Sequence, residues 1–427
     1  MNRFKPNHII SVILVAISFG TAWAIRGQFG HEQGAAWAAA IGGLALVLAS
    51  GRTDWLQRTI SVTTASAIGW GMGGMISYGQ VVGYGRADNL LNAGYGLLML
   101  FVIGGLFGLI GGGLTGLTLE STKDKKVNWA RLMTEMVAGA VICYGFLVMQ
   151  LEILMTPPRS EAWAFCLGAG LAMLWYMARN GFNSSLRVAF YTMLGGGFGF
   201  AFGNFLQVTG NILEINFNMW NVMEYSIGFF GGGALAYSVF TSQWPVITEK
   251  PKPWENRVNY IILVILIPFI VFNESLNFGK LTERLGNAGI DAETALISSI
   301  ISFVVILVMA VYSVFQIEKN NMIFKNRTLL GLFLAVFTSY ILVSFIVTGA
   351  FGGKFHSNHF LYLVNLGAAL LLSFRVSNPF VLNTATNQVI GKKHFLYLLI
   401  VLIFIVLLAF VLINMHGELN GSKNRFE

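Results

Sequence analysis

Stretches of about 17–25 mostly apolar residues recur along the whole chain, and this is the length a helix needs to cross a hydrocarbon core of about 30 Å. They fall at about 9–25, 35–50, 60–79, 95–118, 133–154, 162–178, 188–207, 224–242, 258–273, 293–315, 329–349, 359–374 and 395–414. At that depth no water is present to satisfy the backbone, so each run must satisfy its own N–H and C=O groups, and the helix is the structure that does so. Of 427 residues, 55% are apolar and only 11% charged, against about 25% charged in an average soluble domain. An ordinary soluble enzyme is thereby excluded. No Pro-, Ser- or charge-rich linker divides the chain. The expectation is one all-α polytopic membrane body of about thirteen transmembrane helices.

Charge placement orients these helices. The 27 Lys and Arg exceed the 19 Asp and Glu, for a formal charge of +8, and retained cytoplasmic loops are enriched in Lys and Arg. With the N-terminus inside, 19 of the 27 fall in inner segments, among them Arg3, Lys5, Lys123, Lys125, Lys126, Lys250, Lys252, Lys392 and Lys393. The basic excess is therefore a topology signal, and a nucleic-acid partner has no support. The expected setting is a plasma membrane of the bacterial inner-membrane kind, with the N-terminus cytoplasmic and the C-terminus outside. The first segment also imitates a secretory signal, with Arg3 and Lys5 ahead of an apolar run and Ala22-Trp23-Ala24. Cleavage there would remove the first helix of the repeat described next. The two cysteines, Cys143 and Cys166, both lie in apolar runs, which excludes a disulfide framework and a cysteine-built metal site.

The chain repeats itself. At an offset of 126 residues, Ala36-Trp37-Ala38 meets Ala162-Trp163-Ala164, Gly42 meets Gly168, and Gly69, Gly71 and Gly73 meet Gly195, Gly197 and Gly199. One residue further on, Gln80-Val81 and Gly83 meet Gln207-Val208 and Gly210. After a change in loop length, Gly108 and Gly111-Gly112-Gly113 meet Gly228 and Gly231-Gly232-Gly233. The expected organisation is a tandem parallel four-helix repeat, residues 1–122 and 132–243, followed by a five-helix C-terminal region at 257–415. Units with an even number of spans share an orientation and are related by an axis along the membrane normal.

Most of the 49 glycines lie in the first eight spans. Small residues let membrane helices approach closely, but glycines spaced by two point about 200° apart on a helix, so one neighbour cannot face them all. The runs around Gly71 and Gly197 therefore suit either a helix packed on every side or one locally unwound to line a binding site.

Ionisable residues at membrane depth are costly, which makes them functional candidates. Arg26-Gly27-Gln28-Phe29-Gly30-His31-Glu32-Gln33-Gly34 sets a fixed cation, an imidazole, a carboxylate and two amides in one glycine-turned segment between two spans. Arg26 suits an anion held in bidentate fashion, while His31 beside Glu32 suits proton transfer near neutral pH. The second unit has Thr156-Pro157-Pro158-Arg159-Ser160-Glu161 in its place, so a charged site would be asymmetric. Gln80, Gln207 and Asn211, with Arg86, Asp88, Glu152, Glu214 and Glu224, are further outer-side polar groups. His356 and His359 have helix-face spacing, but without a nearby carboxylate or Cys they make a poor metal site, and no metal or cofactor is expected. No Gly-x-Ser-x-Gly, His-Glu-x-x-His or P-loop pattern is present.

The expectation is a secondary transporter, rather than an enzyme, for a small polar or anionic solute. Its site would lie between the two glycine-rich repeats and use Arg26, His31, Glu32, Gln80, Gln207, Asn211 and the backbone at Gly71 and Gly197, with a proton or sodium ion coupled. An integral-membrane transferase acting on a lipid-linked or extracytoplasmic acceptor, with His31 or Glu32 as base, is the alternative, and a structural subunit of a membrane complex is a third. The topology is open to direct test. A membrane-impermeant thiol reagent applied to intact cells should modify a Cys introduced at Asn216 and spare one at Lys125, and the reverse pattern would overturn the orientation.

Overall fold

The computed structural model of the protein describes residues 6–249, 251–320, 323–376 and 390–426. Arg3, Lys5 and Lys250, assigned above to the inner side, lie outside the described residues. Every regular element among the described residues is helical: α1 (Pro6–Arg26), α2 (Glu32–Ser50), α3 (Thr59–Gly74), α4 (Gly79–Tyr84), α5 (Leu90–Glu120), α6 (Trp129–Gln150), α7 (Glu161–Arg179), α8 (Asn183–Ile212), α9 (Met219–Phe240), α10 (Pro253–Leu276), α11 (Phe278–Asn287), α12 (Ala292–Lys319), α13 (Asn326–Val347), α14 (Ser357–Ser373) and α15 (Lys392–Ile413). Nine of them, α1, α2, α5, α6, α7, α10, α12, α13 and α15, are long and apolar enough to cross a membrane by length and composition. The protein is thus an all-helical chain of membrane-embedded character.

Local chemistry sets the helix ends. Asn89, Asn128, Asn218, Asn277 and Asp291 each precede a helix, and each side chain accepts a hydrogen bond from the backbone N–H three residues on, satisfying one of the donors a helix start leaves open. The third apolar run behaves differently from its expected boundaries. Its helix stops at Gly74 rather than continuing to residue 79, and Gln80 belongs to the separate short helix α4. Four residues of irregular chain, 75–78, carry Tyr78 back toward the interior, where it is buried.

Glycine decides which helices touch. On α5, Gly104, Gly108, Gly112 and Gly116 recur every fourth residue and so share one face. A Cβ built on Gly104 would stand 2.3 Å from the Gly196 carbonyl oxygen, one on Gly108 2.0 Å from that of Thr192, and one on Gly116 2.9 Å from the Ser185 Cα. Helices α5 and α8 therefore run antiparallel, backbone against backbone. The same holds between α8 and α9, where Gly195, Gly199 and Gly203 face Phe230, Ser226 and Met223, and between α1 and α9, where Gly20 and Gly228 meet.

The glycines spaced by two are resolved by the same geometry. Helices α3 and α8 run unbroken through Gly69–Gly73 and Gly195–Gly199, so the packed reading holds and the unwound one does not. Gly69 and Gly73 face α5 at Gly111 and Phe107, while Gly71, on the opposite side, faces Ala36 of α2. Gly195 and Gly199 face α9, and Gly197 faces the Phe101 carbonyl of α5.

Burial grades outward from this centre. The most apolar stretch of α5 is 83% buried, against 11% in α6, 28% in α10 and α12, and 22% in α15, which leaves long apolar faces such as those of Val308, Val311, Phe395 and Leu407 uncovered. The α6–α7 hairpin stands at the rim, joined through Gly139 and Gly168. Of the helices that the expected repeat would equate, α2 packs broadly on α3, whereas α7 touches α8 only slightly; α1 packs on α2 as α6 does on α7, and α3 on α5 as α8 does on α9.

Replacing seam glycines by Ala should separate these contacts from open positions. Gly108→Ala and Gly197→Ala drive a methyl group into backbone and should cost about 1–3 kcal/mol by overpacking. Gly145→Ala, with nothing within 4 Å of the added atom, should be neutral in thermal unfolding in detergent. Equal effects at all three would refute the seam.

Candidate functional site

The turn after α1 is shaped by two glycines. Gly30 has a φ of +98°, which an L side chain rarely adopts. Gly34, in the first turn of α2, lies so close to the end of α1 that a Cβ there would stand 2.4 Å from the Arg26 carbonyl oxygen. The chain thus doubles back at once. Arg26, the last residue of α1, points into the protein with 0% of its surface exposed, and His31 stays at the rim.

A buried guanidinium needs partners for its charge and its five donors. Arg26 Nε donates to Glu224 Oε2 at 3.1 Å, and Nη2 donates to Glu224 Oε1 at 3.4 Å and to the Tyr78 hydroxyl at 2.8 Å. The Tyr78 hydroxyl in turn donates to Glu224 Oε1 at 2.5 Å, closing a three-membered ring of polar groups. Arg26 Nη1 reaches the His31 carbonyl oxygen at 3.3 Å. The position at the C-terminus of α1 adds the favourable end of the helix dipole, and the Trp23 ring lies 4.7 Å from the guanidinium carbon, a cation–π distance.

Below the ring of polar groups lies an aromatic wall. Trp23 and Trp70 stand edge to face at 5.2 Å, Phe19 meets both, Phe107 lies 5.8 Å from Trp23, and Phe200 lies 5.0 Å from Tyr78. Trp70 is held between two glycines, Gly111 of α5 and Gly231 of α9. The indole N–H groups of both Trp23 and Trp70 are buried without a hydrogen-bond partner. Buried polar groups are ordinarily paired; of these two unpaired donors, Trp23 lies against the Arg26 guanidinium, whereas Trp70 lies deeper, against Phe19.

On α8, Asn204 Nδ2 donates to Gln207 Oε1 at 3.1 Å; both residues are fully buried, and Asn204 Oδ1 and Gln207 Nε2 are left unpartnered. Asn204 lies against Gly85, just past α4, where a Cβ would stand 2.1 Å from its Oδ1.

The structure gathers the sequence candidates unevenly. Arg26 is central, and Gln207 is buried in the neighbouring amide couple. His31 borders the site through its backbone carbonyl and through its ring, 5.6 Å from that of Tyr78. Desolvation in the turn, and next the Arg26 charge, hold the His31 imidazole below its ordinary pKa. Glu32 opens α2, where its charge suits the helix N-terminus; the carboxylate that meets Arg26 is Glu224, 198 residues away. Gln80 is half-buried on α4 without a hydrogen bond to any described residue, and Asn211 is exposed at the end of α8. Gly71 and Gly197 are packing positions. The His356 backbone N–H donates to His359 Nδ1, and His359 Nε2 pairs with the Thr348 hydroxyl; among the described residues no group of three His, Cys, Asp or Glu is placed to hold a metal.

Tyr78 had no sequence signal, since it lies where the third apolar run was expected to remain helix. Glu224 stood out only as one of several outer-side carboxylates.

Double substitution separates the pair's own worth from the cost of orphaning one charge. Arg26→Met should lower stability by about 3–5 kcal/mol by leaving Glu224 buried and unpaired, and adding Glu224→Leu should restore much of that loss. Thermal unfolding in detergent reads this, and simple additivity of the two changes would show that the groups are not coupled. No protein-family model matches the chain, and no curated protein or solved structure matches it either.

Proposed function

We propose that the protein is a secondary transporter of a small carboxylate-like anion, coupled to a proton, with its site at Arg26, Tyr78 and Glu224 between the two glycine-rich units. The observation that carries this reading is the fully buried Arg26. It is held by a carboxylate from a helix 198 residues away, next to the unpartnered indole of Trp23, within a chain of membrane-embedded character. Charges at that depth mark ion and substrate paths more often than they stabilise a fold.

The chemistry follows from the exchange of one anion for another. While Glu224 is ionised it occupies the guanidinium. When Glu224 takes a proton from the side it faces, the guanidinium is released for the two oxygens of an incoming carboxylate, with the hydroxyl of Tyr78 and the indole N–H of Trp23 as further donors. Discharge of anion and proton to the other side returns Glu224 to Arg26. One proton then accompanies one monovalent anion, and no net charge crosses.

The thirteen-crossing arrangement, N-terminus inside and C-terminus outside, belongs to the same proposal. Contacts support its parity. Asn92, near the start of α5, accepts from the backbone N–H groups of Arg425 and Phe426, while Lys423 N donates to the Gly83 carbonyl. The tail after α15 therefore shares a side with the α4–α5 turn, which ten intervening crossings would require. The antiparallel pairing of α1 with α9 and of α5 with α8 fits the same alternation. The transferase reading has less support, because Arg26 is enclosed rather than open to a lipid-linked acceptor.

Proteoliposomes test the proposal. An inward proton gradient should drive uptake of one or more labelled small mono- or dicarboxylates. Arg26→Gln should abolish it, whereas Glu224→Gln should keep exchange of internal for external anion and lose the response to the gradient. Uptake indifferent to both changes, or turnover of a lipid-linked donor without uptake, would refute it.

A further inference from the structure

A second site lies away from Arg26, near the opposite helix ends. A cleft of about 460 Å³ opens where the start of α3, the end of α5, the start of α6 and the start of α10 converge. Its walls differ with depth. Arg58, Lys126 and Lys252 bring three cations to its mouth, together with the carboxylates of Glu249 and Glu255. Further along α3, α5 and α6 the lining becomes Ala65, Ile68, Leu114 and Met133. Trp129 and Trp254, 38% and 61% exposed, flank the change from polar to apolar lining, where the aromatic rings of membrane proteins settle at the headgroup level.

The cleft does not end there. Met133 also lines a second cavity of about 180 Å³, bordered by Met72 of α3, Met75 just past its end, Met136 and Ala140 of α6, and Phe165 of α7, all apolar. Together they form a track that starts among charges at the helix ends and continues among methionines, whose flexible side chains fit an irregular apolar guest.

The polar groups at the mouth have bonding capacity left over. Arg58 Nη1 is spent on the carbonyl oxygens of Thr118 and Ser121, and its Nε and Nη2 make no hydrogen bond to any described residue. Lys126 and Lys252 form no ion pair with any described residue. Glu249 Oε1 is buried and has no partner. A solely anionic ligand would satisfy the cations and leave that carboxylate oxygen facing like charge, whereas a ligand carrying both a phosphate and a primary ammonium would satisfy both.

We infer that this cleft binds an aminophospholipid of the phosphatidylethanolamine type: its phosphate on Arg58, Lys126 and Lys252, its ammonium on Glu249 and Glu255, and an acyl chain in the methionine-lined track. The site is independent of the transport reading, since none of its residues belongs to the Arg26 cluster, and transport and lipid binding can fail separately.

Native mass spectrometry of the full-length protein in detergent, with thermal unfolding in parallel, tests the inference. Phosphatidylethanolamine should remain bound and raise the melting temperature, with phosphatidylglycerol and phosphatidylcholine each weaker by about tenfold or more, a difference of about 1.4 kcal/mol. Lys126→Met combined with Lys252→Met should weaken all three lipids. Glu249→Gln should erase the preference for the ethanolamine headgroup while leaving phosphatidylglycerol binding unchanged or tighter. Met133→Trp should narrow the track and reduce retention without altering the helical circular dichroism. Equal retention of the three lipids, a preference unmoved by Glu249→Gln, or equally tight binding of free phosphoethanolamine would each overturn the proposal.

Discussion

Backbone-to-backbone contact through glycine is the constraint on which the rest of this fold rests. Within a bilayer, apolar side chains gain little by leaving lipid for protein, so helix association draws on close packing and polar contacts instead. Gly104, Gly108, Gly112 and Gly116 give α5 a face with no side chains, and α8 comes close enough for carbonyl oxygens to touch the opposing backbone. The same device joins α8 to α9, α9 to α1 and α3 to α5. Once these helices are locked together, the position of every bulky residue between them is fixed, including Trp70 between Gly111 and Gly231.

That close core makes a fully buried arginine possible. Desolvating a guanidinium is costly unless its donors are met in good geometry, and here the partners come from three separate parts of the chain: Glu224 from α9, Tyr78 from the break between α3 and α4, and the His31 carbonyl from the turn. The rings of Trp23 and Tyr78 add their faces. Only helices held within backbone contact could bring a residue near position 26 against one near position 224 while excluding water. The packing and the ion pair are therefore one arrangement, and the pair sits where a modest shift of α9 against α1 would change the distance between its charges.

Much of the fold was legible because the apolar period and length of a membrane helix are coarse signals. Helices occupy all the apolar runs read from the sequence, and the glycine turn at Arg26 folds back as its composition implies. The candidate site was legible by half. Arg26 announced itself as a charge at the end of an apolar run, but its partner did not, since a carboxylate 198 residues away carries no local mark. Glu32 was favoured by proximity in sequence, yet it opens α2, where its charge serves the helix N-terminus, and the ion pair to Arg26 comes from Glu224. Tyr78 was hidden because propensity and hydropathy extend α3 through Met75 and Ile76, whereas the tertiary contacts of α4 stop it at Gly74. The glycine triplets were ambiguous in sequence, because packing on two sides and local unwinding both call for missing side chains; only the positions of α2, α5 and α9 distinguish them.

The α5–α8 seam also has a mechanical side. Its bare face belongs to α5 alone: across it the side chains of Ser185, Thr192 and Phe200 of α8 seat at Gly116, Gly112 and Gly104. Each of these glycines is thus a socket for one particular knob, and a lengthwise slip by less than a full turn would drive that knob into backbone. The seam sets register as well as separation, as the notches of a key fix how far it enters a lock.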